Sequence, residues 1–560
     1  MDKGLRYMIG STTKKNKTDF IVQGSILAIA GIVVRLIGLV YRIPLQNKLG
    51  DDAMGIYSAA YNIYNIILLL SSYSIPLAVS KMVVARVSVK QYRNSFRIFK
   101  SAMIFSVAVG LIATAISYFG AGFFAEMVLK MPDAKIAIQT LSPAIFIMAV
   151  LGVLRGYFQG QGTMIPTAIS QLLEQIVNAG ISLLAAFYLF SLGTSEDTLM
   201  GTTNKAGAYG AAGATLGTVA GALTAMLFCG FLFFVYYRAL EGKLVRDKKN
   251  AIEPYSQLIR VLVATIVPVI LSTAIYNISS LVDNSVFGYY VEFNGISAEE
   301  YKTVWGVYSG KYTLLTNVPV AIANALASSV IPALVASVTR RDRGDTLLRV
   351  NITIRFTMII AIPCTVGLMV LAGPIIRLLY PGDNGLASEL LILGGVAVAF
   401  FSLSTVTNAI LQGINKMRVP VRNALIALLI HVGVLFLLLY GLNMGIYGVV
   451  IANMLFGLTM CMLNSACISD YLQYRQEIKK TFVLPSVASA IMGVAAWGVY
   501  QLGYRLFSSN AFATILAIVI AVAVYGVLLL LLKCVDEVEL YDFPMGGRLA
   551  KLAKKMHLLK

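Results

Sequence analysis

The chain has 560 residues, of which 58% are hydrophobic and 13% charged, and its mean hydropathy is +0.79. A soluble domain carries about 25% charged residues, so this chain lacks the charge to solvate a globule of its size, and a soluble protein is excluded. The formal net charge of +19, from 45 Lys and Arg against 26 Asp and Glu, points either to nucleic acid or to the asymmetric loops of a membrane protein.

The apolar residues fall in blocks of about 20 or more, the length of helix that crosses about 30 Å of hydrocarbon. The blocks lack period-2 alternation, which excludes a transmembrane barrel. In chain order they predict helices over 21–45, 54–82, 100–128, 136–158, 165–190, 207–237, 258–289, 303–337, 350–378, 387–412, 421–440, 446–469, 483–504 and 511–532. The fold class is therefore an all-α polytopic membrane protein with about 14 transmembrane helices. The first block continues past Arg35 without a small-residue cleavage site and reads as a retained span, not a signal peptide.

Charge sorts by connection. Most Lys and Arg lie at the two termini and after the even-numbered segments, whereas the opposite connections hold Lys48, Lys130, Lys135, Lys205, Lys302 and Arg505. This asymmetry predicts that both termini are cytoplasmic. The basic excess is then topology, and no nucleic-acid partner is expected. The terminal lysines Lys551, Lys554 and Lys555 can also touch anionic headgroups. The connections at 191–206 and 290–302 are short and acidic and read as solvated surface. Cys229, Cys364, Cys461, Cys467 and Cys534 have no CxxC spacing or His partners, so neither disulfides nor a metal site are expected.

An internal repeat organises the chain. Tyr57-Ser-Ala-Ala-Tyr61 returns as Tyr308-Ser-Gly-Lys-Tyr312, and Ile75-Pro76 as Ile331-Pro332. Gln159-Gly160 with Met164 and Pro166 returns as Gln412-Gly413 with Met417 and Pro420, and Gly207-Ala-Tyr-Gly210 as Gly445-Ile-Tyr-Gly448. Each match pairs a helix with the sixth one after it, so the halves are parallel six-helix repeats, the architecture of transporters that rock about a central site. The expected organisation is a basic cytoplasmic N-terminus (1–20), an N-lobe (21–237), a cytoplasmic linker (238–257) and a C-lobe (258–469). Two further helices (483–532) and a basic cytoplasmic C-terminus (533–560) follow.

Ionisable groups at membrane depth cost at least about 2.5–3.5 kcal/mol each and are functional candidates. Arg35 lies near the middle of the first segment and Arg42 two turns on, on the same face. Guanidinium groups suit bidentate phosphate capture; the alternatives are snorkelling for Arg42 and a structural acid pair for Arg35. Asp283 and Lys311 either bridge each other or serve separately, Asp283 in cation coupling or latching and Lys311 toward the cargo. Glu174, between Gln171 and Gln175, pairs with Arg155 or gates the cytoplasmic side. His431 is a proton-sensitive candidate for which packing is the favoured role. Pro44, Pro76, Pro143, Pro268, Pro319, Pro332 and Pro363 mark kinks. Gly213, Gly217 and Gly221 form small-xxx-small faces.

The stretches RLIGLVYRIPLQNKLGDDAMGIYSAAYNIYNIILLLSSYSIPLAVSK (35–81) and RGYFQGQGTMIPTAISQLLEQIVN (155–178) carry a resemblance, with SSLVDNSVFG and LQGINKMRVPVRNA. They resemble the polysaccharide-biosynthesis branch of the multidrug/oligosaccharidyl-lipid/polysaccharide (MOP) exporter superfamily, which includes stage V sporulation protein B and the MurJ-type lipid II flippases. The resemblance implies two six-helix lobes plus two extra helices beside a lipid-tail groove. It implies a non-enzymatic flippase in the bacterial plasma membrane for an undecaprenyl-pyrophosphate-linked saccharide, foremost the peptidoglycan precursor lipid II. No cofactor is implied; the drive would be a Na⁺ or H⁺ gradient or the membrane potential, and cell-wall synthesis proteins are the expected protein partners. Arg35 matches the family's essential first-helix arginine and Arg42 the next one. LLLSSYSIP stands where a helix-2 arginine would be, and Lys311 is the candidate replacement for a helix-8 arginine. Rival readings are another polysaccharide or spore-cortex precursor as cargo, and a cation-coupled drug exporter with an acidic, aromatic lumen. A glycan polymerase, which needs larger outer loops, and a non-transporting scaffold complete them.

Overall fold

The computed structural model describes residues 2–200, 205–247, 252–382, 384–532 and 534. Helix α1, Asp2–Ser71, is far longer than one span and breaks at Gly50, whose φ of 83° and ψ of 174° are non-helical. Glycine has no Cβ to oppose this conformation, so the break separates the two segments expected at 21–45 and 54–82. The second segment ends early. The chain turns at 72–74, and α2, Ile75–Val87, starts with Pro76 in its first turn, where the missing N–H costs nothing. Pro76 is therefore a helix start and not the mid-span kink expected from sequence. Helices α3 (Tyr92–Phe119), α4 (Ala134–Gly160), α5 (Ile165–Met200), α6 (Lys205–Arg246), α7 (Tyr255–Phe293) and α8 (Ala298–Gly306) follow.

The chain divides into two compact units, Met1–Gly306 and Val307–Lys560. In the first, Phe99 stacks on Phe233, with Tyr157 edge-on to Phe233, in a core fed by α2, α3, α4 and α6. Helix α7, expected to open the second lobe, adds Leu258, Leu262 and Ile266 to this same core. Its start is held there by charge. Arg86 grips Glu253 through two hydrogen bonds of 2.6 and 2.9 Å, and Arg97 donates to the Glu253 carbonyl while lying 3.9 Å over the Tyr255 ring. Helices α5 and α6 pack backbone to backbone along the expected small-residue face: a Cβ on Gly213 would stand 2.5 Å from the Ala185 carbonyl oxygen.

In the second unit a π-helical turn, Val307–Tyr312, leads into α9, Thr313–Thr339. Helices α10 (Arg343–Val370), α11 (Ala372–Leu379), α12 (Gly385–Gly394) and α13 (Ala397–Gly413) follow, the last two bent by 48°. Helices α14 (Arg418–Phe436) and α15 (Gly445–Leu472) precede α16 (Leu484–Phe507) and α17 (Asn510–Leu531). The last two pack against α10 in a core of their own around Ile359, Met492, Ala517 and Tyr525.

The described residues are helical with no strand, and ten helices are long and apolar enough to cross a membrane, eleven if the bent pair is one span. The expected fourteen are not reproduced by that measure, in part because 30–87 qualifies as one stretch although it holds two segments. Residues 535–560, with the basic C-terminus and His557, lie outside the described residues.

Candidate functional site

In the first unit, polar groups from α1, α4, α5 and α6 converge inside an apolar body. Arg42 and the tyrosines Tyr57 and Tyr61 sit on opposite sides of the Gly50 break, which folds α1 back so that the guanidinium lies 5.8 Å from the centre of each ring. That is within the range of cation–π attraction. The two rings are 5.3 Å apart, and the Tyr61 hydroxyl is 3.3 Å from that of Thr218 on α6. Tyr41 stands beside both Arg42 and Tyr57. The Arg42 Nε and the Tyr57 hydroxyl are both buried, and Tyr41 is the hydrogen-bonding neighbour of both side chains.

Tyr61 also lies in the field of Glu174, which links this cluster to a second one. There Arg155 donates to Glu174 at 2.8 Å and to the Ser170 hydroxyl at 2.9 Å. The sequence named this pair as one of two options for Glu174, and the geometry forms it. The neighbouring Gln175 amide reaches α1 beside Gly38, where a Cβ would meet its nitrogen at 3.2 Å. Gly38 lies between Arg35 and Arg42 on α1, so α5 covers that face with neutral polar groups. Arg35 itself is exposed.

The remaining candidates are placed elsewhere. Asp283, in α7 of the first unit, is 1% exposed, next to Asn284, whose side-chain oxygen accepts from the Tyr301 hydroxyl at 2.8 Å. Lys311 belongs to the second unit, 4% exposed, where the π-turn aims its ammonium at Asn384 Oδ1 (2.9 Å) with the Tyr380 ring 5.5 Å away. His431 is fully buried, its Nδ1 3.0 Å from the Ala452 carbonyl and its ring edge-on to Phe456. Arg42, Arg155 and Glu174 thus gather in one region, with Arg35 two turns from Arg42 on α1, whereas Lys311 and His431 sit in a different unit.

Two groups escaped the sequence reading. Tyr57 and Tyr61 were visible only as a repeat marker, because nothing in their spacing shows that α1 folds them onto Arg42. Lys302 was counted in a solvated connection, but it is 5% exposed and donates to Asp133 at 2.8 Å. The 298–306 segment is a helix packed against α1: Gly306 meets the Asp51 carbonyl and Gly55 the Lys302 carbonyl so closely that neither could carry a side chain. The acidic connection is therefore in part interior, which its charge content hides.

Ten or eleven helices long and apolar enough to cross a membrane, among the described residues, define a multi-pass membrane protein. The chain belongs to the polysaccharide biosynthesis protein family, whose profile matches residues 21–338. It is 26% identical to stage V sporulation protein B of Bacillus subtilis (strain 168) over 95% of this chain and 99% of that protein. It is 27% identical to the lipid II flippase MurJ of the same organism, over 90% and 92%. Among solved structures, lipid II flippase MurJ in an inward closed conformation aligns with a TM-score of 0.60 at 17% identity, over 90% of this chain and 97% of that one. An inward-facing multidrug resistance MATE transporter of the MOP superfamily gives 0.60 at 18%, over 80% and 99%. The fold is the one shared by these two solved transporters.

Proposed function

We propose that the protein is a flippase that carries an undecaprenyl-pyrophosphate-linked saccharide, foremost lipid II, from the cytoplasmic to the outer leaflet of the plasma membrane by alternating access, with both termini cytoplasmic. The observation that carries this reading is the Arg42 guanidinium on its tyrosine platform, with its Nε buried. A cation held in an apolar body without an acid is a receptor for an anion. Glu174, whose charge reaches Tyr61, is already neutralised by Arg155 at 2.8 Å, so the site is basic on balance, contrary to the acidic lumen of a drug exporter. Arg35, two turns from Arg42, extends the cationic track, and the similarity to MurJ at 27% identity supports the cargo class. The similarity to stage V sporulation protein B is as extensive, and it keeps a spore-cortex precursor as the second cargo. Asp283, buried at 1% exposure, is the residue to which ion coupling is assigned.

The test is leaflet-resolved quantification of lipid-linked precursor in cells depleted of the protein and complemented with Arg35→Ala. Precursor should accumulate on the cytoplasmic face although the variant reaches the membrane at normal abundance. Full complementation by Arg35→Ala would overturn the reading, and the saccharide that accumulates identifies the cargo.

A further inference from the structure

In the second unit the last described residue, Cys534, is held in place by a buried charge. Arg355, 5% exposed within α10, donates to the Cys534 carbonyl just past α17 and lies 3.9 Å from Glu477. Glu477 also accepts from Asn351 at 3.2 Å, and the Asn351 side-chain oxygen accepts from the Tyr474 hydroxyl at 3.0 Å. The chain therefore leaves α17 against the connection that follows α15. Where that connection starts there is an open cavity of about 390 Å³, between the turn joining α9 to α10 and the end of α15. Arg341, Arg343, Thr346, Asp470, Tyr471 and Gln473 line it. Arg340 and Arg349 share Asp345 nearby, and Asp342 caps α10. Arg341 and Arg343, both exposed, have no carboxylate at ion-pair distance among the described residues; Arg343 donates to the neutral Gln473 Oε1 at 3.2 Å. Two such cations against Asp470 leave the cavity basic.

We infer that this cavity receives the acidic segment that follows Cys534, Asp536-Glu-Val-Glu-Leu-Tyr-Asp-Phe543. The segment holds four carboxylates and no Lys or Arg. Along α10, Arg343 lies twelve residues before Arg355, about 18 Å at about 1.5 Å per residue. Extended chain covers about 3.4 Å per residue, so Glu539 reaches about 17 Å from Cys534 and Asp542 about 27 Å. The segment thus spans the distance with its own acids, along a path flanked by Arg475 and Lys479, which are exposed on the connection after α15. Anionic headgroups repel these carboxylates, which leaves the basic cavity as the partner of opposite charge. Seated there, the segment ties the α9–α10 turn and the end of α15 to the exit of α17. The inference is independent of the cargo.

The test uses the full-length protein in vesicles of phosphatidylethanolamine and phosphatidylglycerol, with p-benzoylphenylalanine in place of Tyr541. After irradiation, mass spectrometry of the digested protein should find adducts on residues 338–346 or 470–473. Arg341→Glu with Arg343→Glu in the same chain should lower the adduct yield about fivefold to tenfold. Adding Glu537→Lys with Glu539→Lys should restore it, which separates lost attraction from lost folding. Salt at about 0.5 M should lower the yield of the parent protein too, because it shortens the Debye length to a few ångström. Adducts on lipid alone or on another segment alone would overturn the inference. So would a yield indifferent to the charge reversal, or failure of the swapped charges to restore it.

Discussion

Replacing Gly217 by Ala tests whether the α5–α6 contact is as close as the backbones indicate. A Cβ at this position would stand 2.5 Å from both the Asn178 carbonyl oxygen and the Ser182 amide nitrogen, about 1 Å inside favourable van der Waals separation. Neither atom is the end of a flexible side chain, so the helices must part. Parting them strains the bond from the Ser182 hydroxyl to the Ala214 carbonyl, 2.7 Å long and buried between the same helices. Overpacking of this kind costs about 1–3 kcal/mol. Gly230, further along α6, meets nothing within 4 Å of a built Cβ, so Gly230→Ala gains helix propensity of about 0.5–1 kcal/mol without a clash. Because both variants share that propensity gain, the difference between them isolates the steric cost. Thermal midpoints of the two purified variants in one detergent, read by loss of the monodisperse chromatographic peak, should place Gly217→Ala below wild type or close to it and clearly below Gly230→Ala. Equal midpoints would refute the close-packing argument.

Arg155→Met should destabilise by about 3–5 kcal/mol, because it strands Glu174 inside the membrane body; adding Glu174→Leu should recover part of the loss, and a double-mutant cycle on thermal midpoints measures the coupling. The Asp345 carboxyl is held below the usual carboxylate range, first by the 2.9 Å hydrogen bond from Arg349 and then by the attraction of Arg349 and Arg340. Its contribution to stability is therefore present above the unfolded carboxylate value of about 3.9 and lost as pH falls through the lowered native one. Midpoints measured from pH 7 to pH 3 should decline less steeply for Asp345→Asn, by a small and salt-sensitive amount because the pair is half-exposed at the surface; an identical slope would count against it.

Periodicity and hydropathy made the helical, membrane-spanning class legible, and the predicted segments fall mostly on helix, with breaks inside 54–82, 100–128, 350–378 and 387–412. Where α1 breaks was not legible. Gly50 is one glycine among 47, and only its backbone angles set it apart. The site followed the same division. Arg155 and Glu174 could be paired in advance because two opposite charges in adjacent spans have few other ways to lower their desolvation cost. The tyrosine platform under Arg42 could not, since it depends on a fold-back within one helix. Lys302 was misplaced because charge counting treats each connection as exposed, whereas a short helix can carry a lysine inward if an acid such as Asp133 waits for it. Asn384, which receives Lys311, comes from the turn before α12, whose sequence reads only as a loop.

The break at Gly50 also works as a depth gauge. A helix cannot leave backbone groups unsatisfied against hydrocarbon, and around Gly50 the chain gathers polar side chains, with Gln46 donating to Asp51 at 2.6 Å and Thr303 to Asp52. In the topology proposed above, the break falls at the outer water boundary. Counted back along α1 at about 1.5 Å per residue, Arg42 lies about 12 Å below that boundary and Arg35 about 22 Å below it. Under the function proposed above, an anion crossing about 30 Å of hydrocarbon would meet Arg42 and Arg35 in turn, and its longest uncharged interval would shorten to about 12 Å.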